Sequence, residues 1–269
     1  MRTLRLVLEY DGTRHSGWHA QGRGELEDRP SVHLTLRRAI ERLTGEVVFV
    51  RAASRTDAGV HAKGQVVAFE TARDSIPIDG VLKGLNGFLP DSVAVKDCAL
   101  ADPGFEPRHM ARGKHYRYRF LDATARSPLR RHFVWWQKRR LDDEAMDAAA
   151  KQLVGSHDFE AFRAADCSAA HAIRTMYRVD VSRVEDEVWL DVVGNAFCRH
   201  MVRVFAGTLK DVGVARKAAS NVAEILASKN RALAGMTAPP EGLSLLEVIY
   251  DDRLPPRPNR GSVELVEAE

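Results

Sequence analysis

The chain has 269 residues, 45% of them hydrophobic, with a formal net charge of +3, a composition that fits one large or two ordinary soluble globular domains. Three widely spaced cysteines, Cys98, Cys167 and Cys198, form no C-x-x-C pair, which argues against a disulfide framework or a thiolate zinc site and predicts a reducing, cytoplasmic setting. The first residues alternate like a strand rather than forming a signal peptide, and no apolar run of about 18 residues occurs, so neither export nor a membrane span is predicted.

In chain order, Thr3–Tyr10 alternates Leu4, Leu6 and Leu8 against Arg5 and Glu9 and reads as a half-buried strand. Residues 11–30 carry Gly12, Gly17, Gly22, Gly24 and Pro30 around Trp18, the pattern of a long functional loop in which Trp18 either stacks on a base or lids the core. Ser31 is an N-cap for a helix with Val32, Leu36, Ala39, Ile40 and Leu43 on one face, ended by Gly45. Two β-rich runs, Glu46–Ala53 and Lys63–Thr71, flank a connection containing Arg55, Asp57, Gly59 and His61. A loop on a rigid two-strand frame suits chemistry, although Asp beside Gly is also a common turn signal with Arg55 as its ion-pair partner. A helix over 77–88 and a strand over 92–100 complete a β-α-β-β-α-β order, the ferredoxin-like arrangement also used by RNA-recognition modules.

A glycine- and proline-rich crossing at 101–113 predicts the boundary between a first domain, residues 1–103, and a second, residues 104–250; residues 251–269 read as a flexible tail. Lys114–Leu121 alternates Tyr116, Tyr118 and Phe120 against His115, Arg117 and Arg119, giving one aromatic and one basic face. A helix opened by Asp142, Asp143 and Glu144 and stopped by Gly155 follows, then strands over 175–184 and 188–193, a helix over 195–212, helix again over 216–227, and a closing strand over 243–250. Within the 195–212 helix, Arg203 lies off the apolar face beside the small Ala206 and Gly207, either solvated or reaching a carboxylate at a site floor.

Between Arg108 and Arg140 stand eleven basic residues, including Lys114, Arg130 and Arg131, and one acid, Asp122. Tyr116, Tyr118, Phe120, Phe133, Trp135 and Trp136 interleave them, a pattern that favours a polyphosphate carrying bases. The competing account is a solvated basic face balanced by acids elsewhere. No phosphate-cradling loop, H-E-x-x-H pair or G-x-S-x-G elbow occurs, so catalysis is expected from ordinary side chains without a metal or other cofactor.

Arg55-Thr56-Asp57-Ala58-Gly59-Val60-His61-Ala62 strongly resembles the signature of the tRNA pseudouridine synthase A family. The resemblance continues through Tyr10-Asp11-Gly12-Thr13, Gly17-Trp18, Gly64-Gln65-Val66-Val67, Leu85-Asn86, Lys114-x-Tyr116-x-Tyr118, His157-Asp158-Phe159, Gly194-Asn195-Ala196-Phe197, His200-Met201-Val202-Arg203 and Gly242-Leu243. It implies an α+β fold of two ferredoxin-like domains sharing a mostly antiparallel sheet, with the catalytic cleft between them, and a homodimer. The implied activity isomerises uridine to pseudouridine in tRNA, at positions 38–40 of the anticodon stem-loop, without a cofactor. Catalytic roles fall on Asp57, Tyr116 and Arg203, and substrate-binding roles on Arg55, His61, Trp18, Lys114, Arg130 and Arg131. The sequence departs from the family pattern at Ser54, His33, Glu106-Pro107 and Cys198-Arg199, which leaves a pseudouridine synthase of another RNA, or a vestigial RNA-binding module, as alternatives.

Overall fold

A computed structural model describes residues 1–19 and 28–256. Gly22 and Gly24 of the long loop, and the part of the predicted tail from 257 onward, lie outside the described residues. The fold is mixed α+β with mostly antiparallel strand pairing. It contains two compact units, Met1–Ala111 with Ser244–Tyr250, and Arg112–Leu243 with the residues after Tyr250.

In the first unit β1 (Arg2–Tyr10) lies antiparallel between β3 (His61–Thr71) and β4 (Val93–Ala101). β2 (Arg51–Ala52) adds to the other edge of β3, antiparallel, and β10 (Leu243–Ile249) adds in parallel next to the start of β3. The alternation read in β1 is structural: Leu4, Leu6 and Leu8 are fully buried while Arg5 turns outward to Asp97 at 3.1 Å. Each such burial contributes about 1.5–3 kcal/mol before the entropy of ordering is set against it.

Helix α1 (Val32–Thr44) starts where Ser31 accepts from the Leu34 N–H and stops at Gly45 in the left-handed region, φ 73°. Its Val32, Leu36, Ala39 and Ile40 face the core. Helix α2 (Ile78–Phe88) is clipped to β4 by Asn86, whose side chain donates to Val95 O and accepts from Val95 N. The strand expected over Glu46–Ala53 is shorter: Val48 and Val50 are buried and Val47 and Phe49 exposed, but ladder pairing is confined to β2. The alternation marks an extended segment, and pairing additionally needs a neighbour. A short helix, α3 (Pro107–Met110), follows β4.

In the second unit β5 (Gly113–Asp122) pairs with β9 (Glu187–Gly194), β9 with β8 (Ile173–Val184), and β8 with β7 (Gly155–Asp158), all antiparallel. β6 (Trp135–Gln137) runs parallel to β5. Helices α4 (Asp143–Lys151), α5 (Met201–Gly213) and α6 (Asn221–Ser228) complete the unit. Phe205 of α5 meets Phe159 and Phe162 at ring distances of 5.5 and 5.0 Å, so the His157-Asp158-Phe159 block supplies core.

Three boundaries differ from the sequence reading. Helix α4 ends at Lys151, and Gly155, at φ 112°, opens β7 instead of stopping the helix. Helix α5 starts at Met201 rather than 195, because Asn195 exchanges hydrogen bonds with Thr175 and prolongs the strand pairing. The last helix begins at Asn221, after a turn in which Arg216 N reaches back to Asp211 O. Of the predicted tail, residues 251–256 are described, and Arg112 donates to Leu254 O at 2.9 Å and pairs with Asp252 at 2.6 Å.

Candidate active site

The connection between β2 and β3 is held by its backbone and by Thr56. The Tyr10 hydroxyl and Thr56 Oγ1 are 2.8 Å apart, and Trp18 N–H donates to Thr56 O at 3.0 Å. Gln65, fully buried on β3, grips Ser54 twice: its amide donates to Ser54 O at 2.7 Å and its carbonyl accepts from Ser54 N at 3.2 Å. Val60 N–H closes a turn on Asp57 O, and Gly59 takes φ 81°. Gly12 and Gly17 sit against this turn so closely that an added Cβ would lie 2.0 Å from Val60 O and 2.7 Å from Thr56 O. With its neighbours so fixed, Asp57 stands half-buried and Arg55 exposed.

Of the two readings of Trp18, a base-stacking ring or a lid on the core, its full burial agrees with the second. A ring inside the core cannot offer a face to a nucleobase; its backbone instead ties the Asp57 loop to the start of α1, since Trp18 O accepts from His33 N. His61 is likewise buried, and its Nδ1 accepts from Gly12 N–H at 3.0 Å, so it fastens the Gly12 turn to β3 rather than presenting itself to substrate. Ser54, one of the departures from the family pattern, lies outside the positive-φ region, so its backbone does not require a glycine. The residues missed from sequence are the braces Tyr10, Thr56 and Gln65; only their place in matching blocks marked them. Burial pushes the Tyr10 phenol up to about 12, against the bonds from Thr56 and Gln65, so it stays protonated.

In the second unit Tyr116 is buried on β5 with its ring edge-on to Phe197 at 5.0 Å. Lys114, two residues earlier on the same strand, is buried too. Arg203 sits in the first turn of α5 and donates from Nε to Ala238 O at 2.7 Å, while Ala238 N–H returns to Arg203 O at 3.0 Å. The small face of α5 is not an open floor. A Cβ on Gly207 would fall 1.8 Å from Met236 O, so glycine there admits the crossing chain 235–239. That chain also accepts the Tyr118 hydroxyl at Pro239 O, 2.8 Å away.

The basic segment is partly spent on ion pairs. Arg117 forks onto Asp191 at 3.0–3.2 Å, Arg119 onto Glu187 at 2.7 Å, and Arg130 onto Asp186 at 2.5–2.7 Å with Glu187 at 3.1 Å. Arg131 is exposed. Among the described residues no cluster of three or more His, Cys, Asp or Glu side chains could hold a metal, and no helix is long and apolar enough to cross a membrane.

A family model described as tRNA pseudouridine synthase matches residues 6–103 and 149–251. The chain belongs to the tRNA pseudouridine synthase family. It is similar to the tRNA pseudouridine synthase A of Myxococcus xanthus, 49% identical over the full length of both chains. It is also similar to those of Pelobacter propionicus, at 44%, and Geotalea uraniireducens, at 42%, each over 93% of this chain and all of the relative. The family member described here is therefore an isomerase of the pseudouridine synthase class. The braced Asp57 loop falls inside the first matched stretch, and Arg203 inside the second.

Proposed function

We propose that the enzyme converts uridine to pseudouridine in tRNA with Asp57 as the essential catalytic residue. The observation that carries this reading is the loop itself: a half-buried carboxylate in a connection where Gln65 grips the Ser54 backbone, Tyr10 bonds the Thr56 side chain, Trp18 N–H bonds Thr56 O and Gly12 packs against Val60 O, in a chain of this family. Such clamping fixes a reacting group in place before substrate arrives.

The reaction breaks the bond from uracil N1 to ribose C1′, turns the ring, forms a bond from C5 to C1′ and transfers, in net, the C5 proton to N1, so substrate and product are isomers. A stacked uridine hides its glycosidic bond and must first be extruded, at a cost of a few kcal/mol. One carboxylate suffices because no water has to be activated, in contrast to glycoside hydrolysis. Asp57 acts by attack on C1′, by addition at C6, or by removing the C2′ proton to give a glycal. Tyr116 supplies a flat ring and a hydroxyl for the C5 proton, Arg203 a cation whose direction is set by Ala238, and Arg55 a contact to the extruded nucleotide.

Each unit is read as ferredoxin-like. The first-unit order β4-β1-β3-β2, antiparallel at every step, is the one a β-α-β-β-α-β chain produces. The anticodon stem-loop as target, a homodimer and a cytoplasmic location rest on family membership.

The test is Asp57→Asn, which keeps size and removes charge. Release of tritium from tRNA labelled at uridine C5 should fall to background while tRNA affinity stays within a few-fold. Full release by the variant would sink the assignment, and absence of release by wild type would leave the RNA-binding-module reading.

A further inference from the structure

The first unit contains a groove of about 410 Å³ that the isomerisation does not use. Its lining combines Arg14, Arg38, Arg42 and Phe88 with His15 and, as the one carboxylate among the described residues, Asp28. Helix α1 presents Thr35, Arg38, Ala39 and Arg42 at three- and four-residue spacings, so one helical stripe forms a wall. Arg14 comes from the short turn after β1, and Phe88 ends α2.

The opposite wall is rigid: buried His15 bonds Pro30 O through Nδ1 and Ser92 Oγ through Nε2, at 3.1 and 3.0 Å. Burial also lowers the His15 pKa, so the ring is neutral at pH 7 and adds no charge. Three guanidiniums against one carboxylate leave an excess of two positive charges among the described residues.

Several other cations of the unit do have carboxylate partners. Arg5 pairs with Asp97, Arg51 with Glu70 and Glu106, Lys83 with Asp79 and Lys96 with Glu9. Arg14, Arg38 and Arg42 are exposed, and none has a carboxylate within ion-pair distance among the described residues. Arg42 instead lies 4.4 Å over the half-exposed Phe88 ring, which holds its fork in one orientation. Planar forks of this kind match phosphate oxygens two at a time, and a flat ring beside them accepts a ribose or base face.

We infer that this groove binds the sugar-phosphate backbone of the RNA substrate, through Arg14, Arg38 and Arg42 with Phe88 as a stacking edge. The inference rests on the RNA-modifying function proposed above. It also couples binding to the Asp57 loop within one unit, because the turn that lends Arg14 and His15 to the groove presses Gly12 against Val60.

The experiment measures tRNA affinity against salt concentration for wild type, Arg38→Ala/Arg42→Ala, Phe88→Ala and, as a control outside the groove, Lys83→Ala. The double variant should flatten the slope of log K against log salt by about 1.5 and weaken binding about tenfold, since two phosphate contacts are lost. Its KM for tRNA should rise in parallel. Phe88→Ala should weaken binding with little change of slope, and Lys83→Ala should change neither. A folded double variant, by circular dichroism and Tm, with wild-type slope and affinity would overturn the inference. Lack of tritium release by wild type would instead overturn the functional reading, and the slopes on the same tRNA would still decide the groove.

Discussion

The connection that carries Asp57 is held in position by Tyr10, Gly12, Gly17, Trp18 and Gln65. Gly12 illustrates how tight the support is, because the nearest atoms to an added Cβ are the backbone O and C of Val60, at 2.0 and 2.6 Å, and backbone cannot swing aside as a flexible side chain can. Gly12→Ala must therefore displace either the turn after β1 or the Asp57–Val60 turn. Displacements near 1 Å at a reacting group cost about 100-fold in rate, and overpacking of this kind about 1–3 kcal/mol in stability. Tritium release by Gly12→Ala should fall to that degree, with urea denaturation showing the stability loss and tRNA affinity changed only a few-fold. A wild-type rate in the folded variant would show that the loop tolerates movement. The sequence named Asp57 through resemblance, but it could not separate residues that meet substrate from residues that hold the loop. Trp18 and His61, both candidates for substrate contact, are buried and bond the turns around Asp57, and burial is set by packing that a residue type does not reveal.

At the scale of elements, β5 shows both what periodicity carries and where it stops. Its alternation placed Tyr116, Tyr118 and Phe120 inward, as observed. For the outward His115, Arg117 and Arg119 the sequence left open a face for a polyphosphate or one balanced by acids elsewhere, and their carboxylate partners, Asp191 and Glu187, arrive on β9 far along the chain. Strand pairing brings acid to base, and no local window contains both. Burial pushes the Glu187 carboxyl up, but the bonds from Arg119, Trp189 and Arg130 outweigh it and leave it below its ordinary 4.5. Burial likewise opposes, and His115 and Arg117 overcome, the shift that leaves Asp191 below 3.8. A carboxylate with a depressed folded-state pKa stabilises the fold fully above its ordinary value, and that stability disappears as pH falls through the depressed one. The Tm of wild type should therefore drop as pH falls from about 5 to about 3. Glu187→Gln should lower stability at pH 7 by about 2 kcal/mol, through loss of charge-assisted hydrogen bonds, and make the acid-side drop shallower. Parallel Tm curves for variant and wild type across that range would contradict the assignment.

For the whole molecule, the near-neutral net charge of +3 conceals a basic stretch in which some cations are paired with carboxylates and others are exposed with no ion pair among the described residues. The β-α-β-β-α-β order of the first unit was legible from period and caps alone, because those signals act within a few residues. Which cations of the basic stretch are taken up by ion pairs was not, because it depends on which acids the fold brings alongside. Arg117, Arg119 and Arg130 are each matched by carboxylates, whereas Arg131, Lys138, Arg139 and Arg140 are exposed and have no ion pair among the described residues. A cation releases a condensed counterion from RNA only when it exchanges water and salt for a phosphate, and one already forked onto two carboxylates must first give those up. Arg131→Ala should accordingly flatten the salt dependence of tRNA binding by about 0.7–0.9 of a unit slope, one phosphate contact. Arg130→Ala should change that slope less and instead lower the Tm, since it strands Asp186 and takes one of three partners from Glu187. Binding titrations at a series of salt concentrations, run beside thermal melts of the same two variants, separate the two uses. Equal slope changes with unaltered melting of Arg130→Ala would mean that Arg130 leaves its carboxylates for the RNA backbone, and that the pairing on β9 is a resting state of a binding residue.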